Sequence, residues 1–198
     1  MNSTGLRFVI VVSLVACASC NLLSTRDPQQ PSQQTSFRTP TAPDVVLQNF
    51  QDAINNRDAA SYTRCFADSS HGGTAYRFVP AADAQQVYAG KFLSWGVREE
   101  SAYFLNLKSQ VSADAEMNVF LDSTKFESQS SDSSVVESNY TLIANHNISS
   151  RPTKVVGRMH LTIKPDPLTQ LWAISNWIDI AGGTAEPSWS MLKALFSQ

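Results

Sequence analysis

Cysteine is scarce: the 198 residues hold three, and two of them, Cys17 and Cys20, stand near the start of the chain. Cys65 alone remains for the rest. A disulfide framework and a cysteine-based zinc site each need several thiols at defined spacing, so both are excluded. Cys65 falls on the apolar side of a helical pattern, where a buried, inert thiol is expected. Lysine and arginine never gather into a run, and the formal net charge is −2. Such a chain has no electrostatic footprint for nucleic acid and no polybasic patch for anionic lipid. The three histidines, His71, His146 and His160, form no His-x-x-x-His or His-x-Glu pair. No catalytic serine elbow, phosphate loop or dinucleotide fingerprint is present. No metal ligand cluster or cofactor is expected.

Long apolar runs are also missing, with one short exception. Met1 to Arg7 are polar with a single positive charge, Phe8 to Ala16 are apolar, and small residues stand just before Cys17. That order is the grammar of a secretory signal. The run is too short for a hydrocarbon core that needs about 20 apolar residues. In detail, Leu14-Val15-Ala16-Cys17 resembles the lipobox of bacterial lipoproteins. The resemblance implies cleavage between Ala16 and Cys17, acylation of Cys17 with chains such as palmitate, and residence in the cell envelope on the outer face of a membrane. Cys20 is the alternative acceptor, but a cysteine stands three places before it where a branched apolar residue is wanted. A plain secretory signal cut after Ala16 or Ser19, with no lipid, is the other alternative. Without a basic patch, membrane lipid is held through the acyl chains, each buried methylene contributing about 0.8 kcal/mol.

Residues 1–16 thus read as signal peptide. Residues 17–43 are rich in Gln, Ser, Thr and Pro with no apolar period, and read as a lipid-anchored disordered spacer. Residues 44–198, about 155 in number, suit one domain with a single core.

Within that domain, Asp44 reads as the N-cap of a first helix whose buried face carries Leu47, Phe50 and Ile54. Asp58 reads as the cap of a second helix carrying Ala59, Tyr62, Cys65 and Phe66. Ala75 to Val79 reads as a short strand before Pro80. Ala82 to Val111 has helical composition with a break near Trp95. From Met117 the period changes to two, giving four long strands as a meander, with Ser128 to Ser134 as a polar hairpin loop. Ser188 to Phe196 reads as a last helix folding back on the domain. Grouped helices followed by grouped strands indicate an α+β fold with helices on one face of a mainly antiparallel sheet.

This order, with NNRDAASYTRCFAD in the second helix and WAISNWIDI at the end, resembles the NTF2-like superfamily, including its SnoaL-like members. The resemblance implies a cone, with the N-terminal helices packed on a curved sheet and a cavity at the open end. The superfamily spans isomerases, cyclases, dehydratases and transport factors, so the fold says little about chemistry.

The pocket candidates are Tyr140, Trp177 and Asp179. Asp179 and Trp177 share the parity of Ala173 and Ser175; facing a cavity, Asp179 would be a carboxylate with a raised pKa able to act as a base. Alternatively Trp177 is core and Asp179 caps the turn toward Gly182-Gly183. No residue is assigned as catalytic. Two function classes follow: a module binding a small apolar ligand or an envelope protein, or an isomerase or hydrolase using a cavity carboxylate. The latter needs more placed groups than the sequence offers. Phe120, Val156, Arg158, His160 and Thr162 on the outer parity also suit a homodimer interface.

Overall fold

The computed structural model describes residues 37–197. Ala16, Cys17 and Cys20 lie outside them, and so does the signal reading. Two helices open the domain, α1 (Pro43–Asn55) and α2 (Ala59–Arg64). A single 3-10 turn (Ser69–His71) leads to the short strand β1 (Arg77–Val79). Helices α3 (Ala82–Val87) and α4 (Val97–Ser109) follow. Four long strands come next: β2 (Met117–Gln129), β3 (Ser134–Ala144), β4 (Lys154–Pro165) and β5 (Trp172–Ala181). Helix α5 (Trp189–Phe196) is last. No helix among the described residues is long and apolar enough to cross a membrane.

Helix α1 buries Val46, Leu47, Phe50, Ala53 and Ile54, the spacing of one apolar stripe. Its cap is not Asp44, as the sequence suggested, but Ala42. Pro43 takes the first helical position, where a missing N–H costs nothing, and Asp44 falls in the first turn against the positive end of the helix dipole. Asp58 caps α2 as expected, accepting from Ala60 N at 3.0 Å and Ser61 N at 3.1 Å.

Residues ahead of the boundary expected at Asp44 pack on the domain from Phe37 onward. Arg38 N donates to Asn49 Oδ1 at 2.9 Å, and Asn49 Nδ2 returns a bond to Arg38 O at 2.7 Å. Pro40 O accepts from Trp172 N at 2.8 Å, and the Phe37 ring lies under the Arg64 guanidinium at 4.0 Å. Residues 37–43 therefore belong to the domain and not to the spacer. Composition concealed this, because much of the hold is made by backbone groups and one buried asparagine.

The sheet runs β1-β5-β4-β3-β2. The four long strands form the expected antiparallel meander, while β1 adds to β5 in parallel through Phe78 opposite Trp177. The hairpin loop between β2 and β3 is shorter than read, since both strands run on into the Ser-rich stretch. Alternate residues Ser134 to Ala144 of β3 and Val155 to Ile163 of β4 face inward. On β5 the alternation slips: the register shifts between Thr162 and Ile163, so Ile174, Trp177 and Asp179 face inward. Ala173 thus does not share the setting of Asp179, contrary to the simple parity. Ser175 is the unpaired residue at the slip, buried and with its hydroxyl donating to Thr162 O at 3.0 Å. The helices cover the inner face, and the core lies between.

Candidate functional site

Helix α5 crosses the inner face of the sheet and places Trp189, Leu192, Lys193 and Phe196 in the centre of the domain. Two carboxylates meet it there. Glu100, from the first turn of α4, is fully buried. Its Oε1 accepts from Tyr76 Oη at 2.6 Å and Trp95 Nε1 at 3.0 Å, and its Oε2 accepts from Tyr62 Oη at 2.9 Å. The Lys193 ammonium completes the set with a buried ion pair to Oε1.

Lys193 has no exposed surface. Its Nζ lies 3.6 Å from the centroid of the Trp177 ring and 3.7 Å from that of Phe78. Trp95 and Tyr103 stand at 5.8 and 5.9 Å. Burial lowers the Lys193 pKa to about 8, with Glu100 opposing the fall. Burial, reinforced by the Glu100 charge, holds Tyr62 and Tyr76 far above the ordinary phenol range. One buried side-chain atom lacks a hydrogen-bond partner among the described residues, Trp177 Nε1.

Asp179 on β5 is the second carboxylate. It accepts from Tyr140 Oη at 2.7 Å through Oδ1, and from Ser190 N at 2.7 Å and the Ser190 hydroxyl through Oδ2. Tyr140 Oη in turn accepts from Trp189 N at 2.8 Å, and Ser190 Oγ accepts from Ala81 N at 2.9 Å. Trp189 and Ser190 open α5, so Asp179 serves the otherwise unpaired N–H groups of a helix start from across the domain. Burial raises the Asp179 pKa, opposed by the bonds from Ser190 and Tyr140.

The structure thus brings together all three residues singled out from the β-strands. Tyr140 and Asp179 are bonded, and Trp177 packs edge-on to Trp189 with centroids 4.9 Å apart. Asp179 does not cap the turn at Gly182-Gly183; it caps α5. His160 stays on the outer face and does not join them. Glu100 and Lys193 were missed. Three neighbouring charges, Arg98-Glu99-Glu100, suggest a solvated helix face, and nothing in the sequence around Lys193 singles it out. The available signal was position: Glu100 lies on the same helical stripe as Tyr103, Phe104 and Leu107.

Surface concavities lie elsewhere. One, of about 290 Å³, is lined by Tyr76, Arg77, Phe78, Phe92 and Trp95, and so shares Phe78 and Trp95 with the rings around Lys193 and Tyr76 with the donors to Glu100. Another, of about 420 Å³, lies on the outer sheet face between Phe120, Thr141, Val156, Arg158 and Ile180. Among the described residues no three His, Cys, Asp or Glu side chains gather closely enough to hold a metal ion.

No family model matches this chain, and no curated protein does. Solved structures do match in shape. A candidate aromatic ring hydroxylase from Novosphingobium aromaticivorans is 11% identical, with a TM-score of 0.53 over 76% of this chain and 92% of its own. A candidate dehydratase of the NTF2-like family from Streptomyces avermitilis is 9% identical, with a TM-score of 0.52 over 71% of this chain and 94% of its own. A nuclear transport factor 2 (NTF2-like) superfamily protein from Salmonella enterica is 10% identical, with a TM-score of 0.50 over 71% and 88%. At these identities the likeness shows the fold alone: an α+β, NTF2-like cone of helices on a curved, mainly antiparallel sheet.

Proposed function

We propose that this chain is a bacterial lipoprotein whose NTF2-like domain is a binding or assembly module of the cell envelope and not an enzyme of turnover. The observation that carries the module reading is that both interior carboxylates are buried and engaged by donors of the chain itself. Glu100 receives four donors and Asp179 three, all from the chain itself. A general base needs a free lone pair within hydrogen-bond reach of the substrate proton. The isomerase or hydrolase alternative therefore requires substrate to reach a carboxylate that is 2% exposed and already bonded to Tyr140 and Ser190. What the module takes is a small ligand or an envelope protein.

The membrane half of the proposal rests on Leu14 to Cys17 and the Gln/Ser/Pro-rich spacer behind them. In bacteria fed labelled palmitate, the wild-type chain takes up label and sediments with membranes, and Cys17→Ala does neither. Label retained in Cys17→Ala and lost in Cys20→Ala moves the anchor to Cys20. A wild-type chain that takes up no label removes it. The module half is tested with Asp179→Asn: a structural cap predicts a lower melting temperature and faster amide exchange in α5. Unchanged stability would return Asp179 to the catalytic candidates.

A further inference from the structure

We infer that the aromatic cage around Glu100 is a binding site for a primary alkylammonium group, and that Lys193 is its tethered occupant in the free domain. This deepens the module reading and does not depend on lipid at Cys17. Four rings, Phe78, Trp95, Tyr103 and Trp177, surround the Lys193 Nζ within 6 Å, and Glu100 closes the set with a formal negative charge. A cation on aromatic faces, backed by a carboxylate, is the chemistry by which proteins recognise alkylammonium ligands.

Charge selects the class of replacement. If Lys193 leaves, Glu100 faces only the neutral donors Tyr62, Tyr76 and Trp95. A neutral or anionic guest would leave a buried carboxylate uncompensated, which is strongly unfavourable. An incoming ammonium restores the pair. A linear primary amine repeats the shape that Lys193 already threads between the rings.

The occupant also has a way out. Lys193 rides on α5, joined to β5 by the exposed stretch 181–185, which includes Gly182 and Gly183, the latter at φ 69°. Left-handed backbone at a glycine, with no side chain to pack, suits a hinge. Phe78 and Trp95, themselves buried, meanwhile back onto the 290 Å³ surface depression, so two of the cage rings form the wall between it and the Lys193 amine.

The test uses the full chain. Lys193→Ala deletes the arm from Cγ to Nζ, and n-propylammonium chloride, the fragment removed, is the probe, against sodium chloride and propan-1-ol. The expected result is a lowered melting temperature in Lys193→Ala that n-propylammonium restores in large part and saturably, as ligation of the native state requires. Neither control restores it, and Lys193→Met, whose arm still fills the cage, gains nothing. Equal rescue by propan-1-ol overturns the ammonium assignment while leaving a module for neutral ligands standing. Absence of rescue, or equal gain in Lys193→Met, overturns the site. If Lys193→Ala does not fold alone, refolding only in the presence of the amine supports the proposal, and failure to refold with it overturns it. In wild type, n-propylammonium at high concentration should speed amide exchange across Trp189 to Phe196 as the helix yields. Unchanged exchange overturns the tethered-occupant role.

Discussion

Tyr140 on β3 reaches Asp179 on β5 by crossing directly over Gly157 on the strand between them. Tyr140 and Gly157 are cross-strand partners, and a Cβ on Gly157 would stand 2.6 Å from Tyr140 Cζ. No carbon tolerates that approach, so the glycine is what allows the bond from Tyr140 to Asp179 at 2.7 Å. Gly157→Ala should therefore destabilise the domain by about 3 kcal/mol, as overpacking of a filled core does. Urea unfolding should show a lower midpoint at an unchanged slope. The same Cβ would stand 2.5 Å from the Ile180 carbonyl oxygen, so a midpoint equal to wild type would mean that both the Tyr140 ring and the β5 backbone can move aside without cost.

The strands were legible because their alternation is strong: on β4, Val155, Met159, Leu161 and Ile163 all lie inward, as period two requires. The site was half legible. Tyr140, Trp177 and Asp179 stand out as polar or bulky residues on an inner parity, yet nothing local in the sequence says that Asp179 bonds a helix eleven residues later. Glu100 and Lys193 were hidden for a physical reason. A charged residue normally faces water, and only the fold, by placing α4 beside α5, supplies the opposite charge that lets both go inside. The slip on β5 was equally hidden, since Ile174, Ser175 and Trp177 fit either parity until the β4 register is known.

The ion pair itself yields a prediction about charge. Glu100→Gln leaves the Lys193 ammonium buried among rings and should cost about 3–5 kcal/mol. Glu100→Gln combined with Lys193→Met removes both charges and should recover most of that loss, because apolar groups of similar volume replace buried pairs with little penalty. A double-mutant cycle from urea midpoints reads the coupling directly. Additive losses would show that the two side chains do not depend on each other.

Lys193 also gives the domain an unusual alkaline limb. Its pKa is about 8 in the folded chain, below the ordinary lysine value of 10.5, because burial outweighs the attraction of Glu100. Between these values the unfolded chain binds more protons than the folded one, so stability rises with pH, by about 2 kcal/mol between pH 8 and 10. Above pH 10 the sign reverses. Tyr62, Tyr76 and Tyr103 stay protonated when folded but ionise when unfolded, and the folded state then loses ground. Glu100 and Asp179 are the acids nearest the amine. Urea midpoints of wild type and Lys193→Met across pH 7.5–11 isolate the lysine contribution: the rise should vanish in the variant. A flat wild-type profile below pH 10 would contradict it.

The outer sheet face makes the last prediction, a homodimer. Phe120 is 50% exposed there, beside the partly exposed Val156 and Ile180 around the 420 Å³ concavity. Arg158 and Glu137 stand 3.2 Å apart on the same face, both partly open to solvent. A two-fold axis sets the same patch against itself, so a face carrying neighbouring opposite charges can exchange Arg158 and Glu137 between copies while the apolar residues pair at the centre. Sedimentation of the domain from Phe37 onward should then show a dimer at tens of micromolar, and Phe120→Glu, which sets a carboxylate near the axis in both copies, should return it to monomer. Arg158→Glu should weaken the dimer, and mixing that chain with a Glu137→Arg chain should restore pairing as a heterodimer, since these two variants have complementary charges only across the axis. A wild-type monomer at that concentration removes the dimer, and a dimer indifferent to Phe120→Glu places the interface on another face.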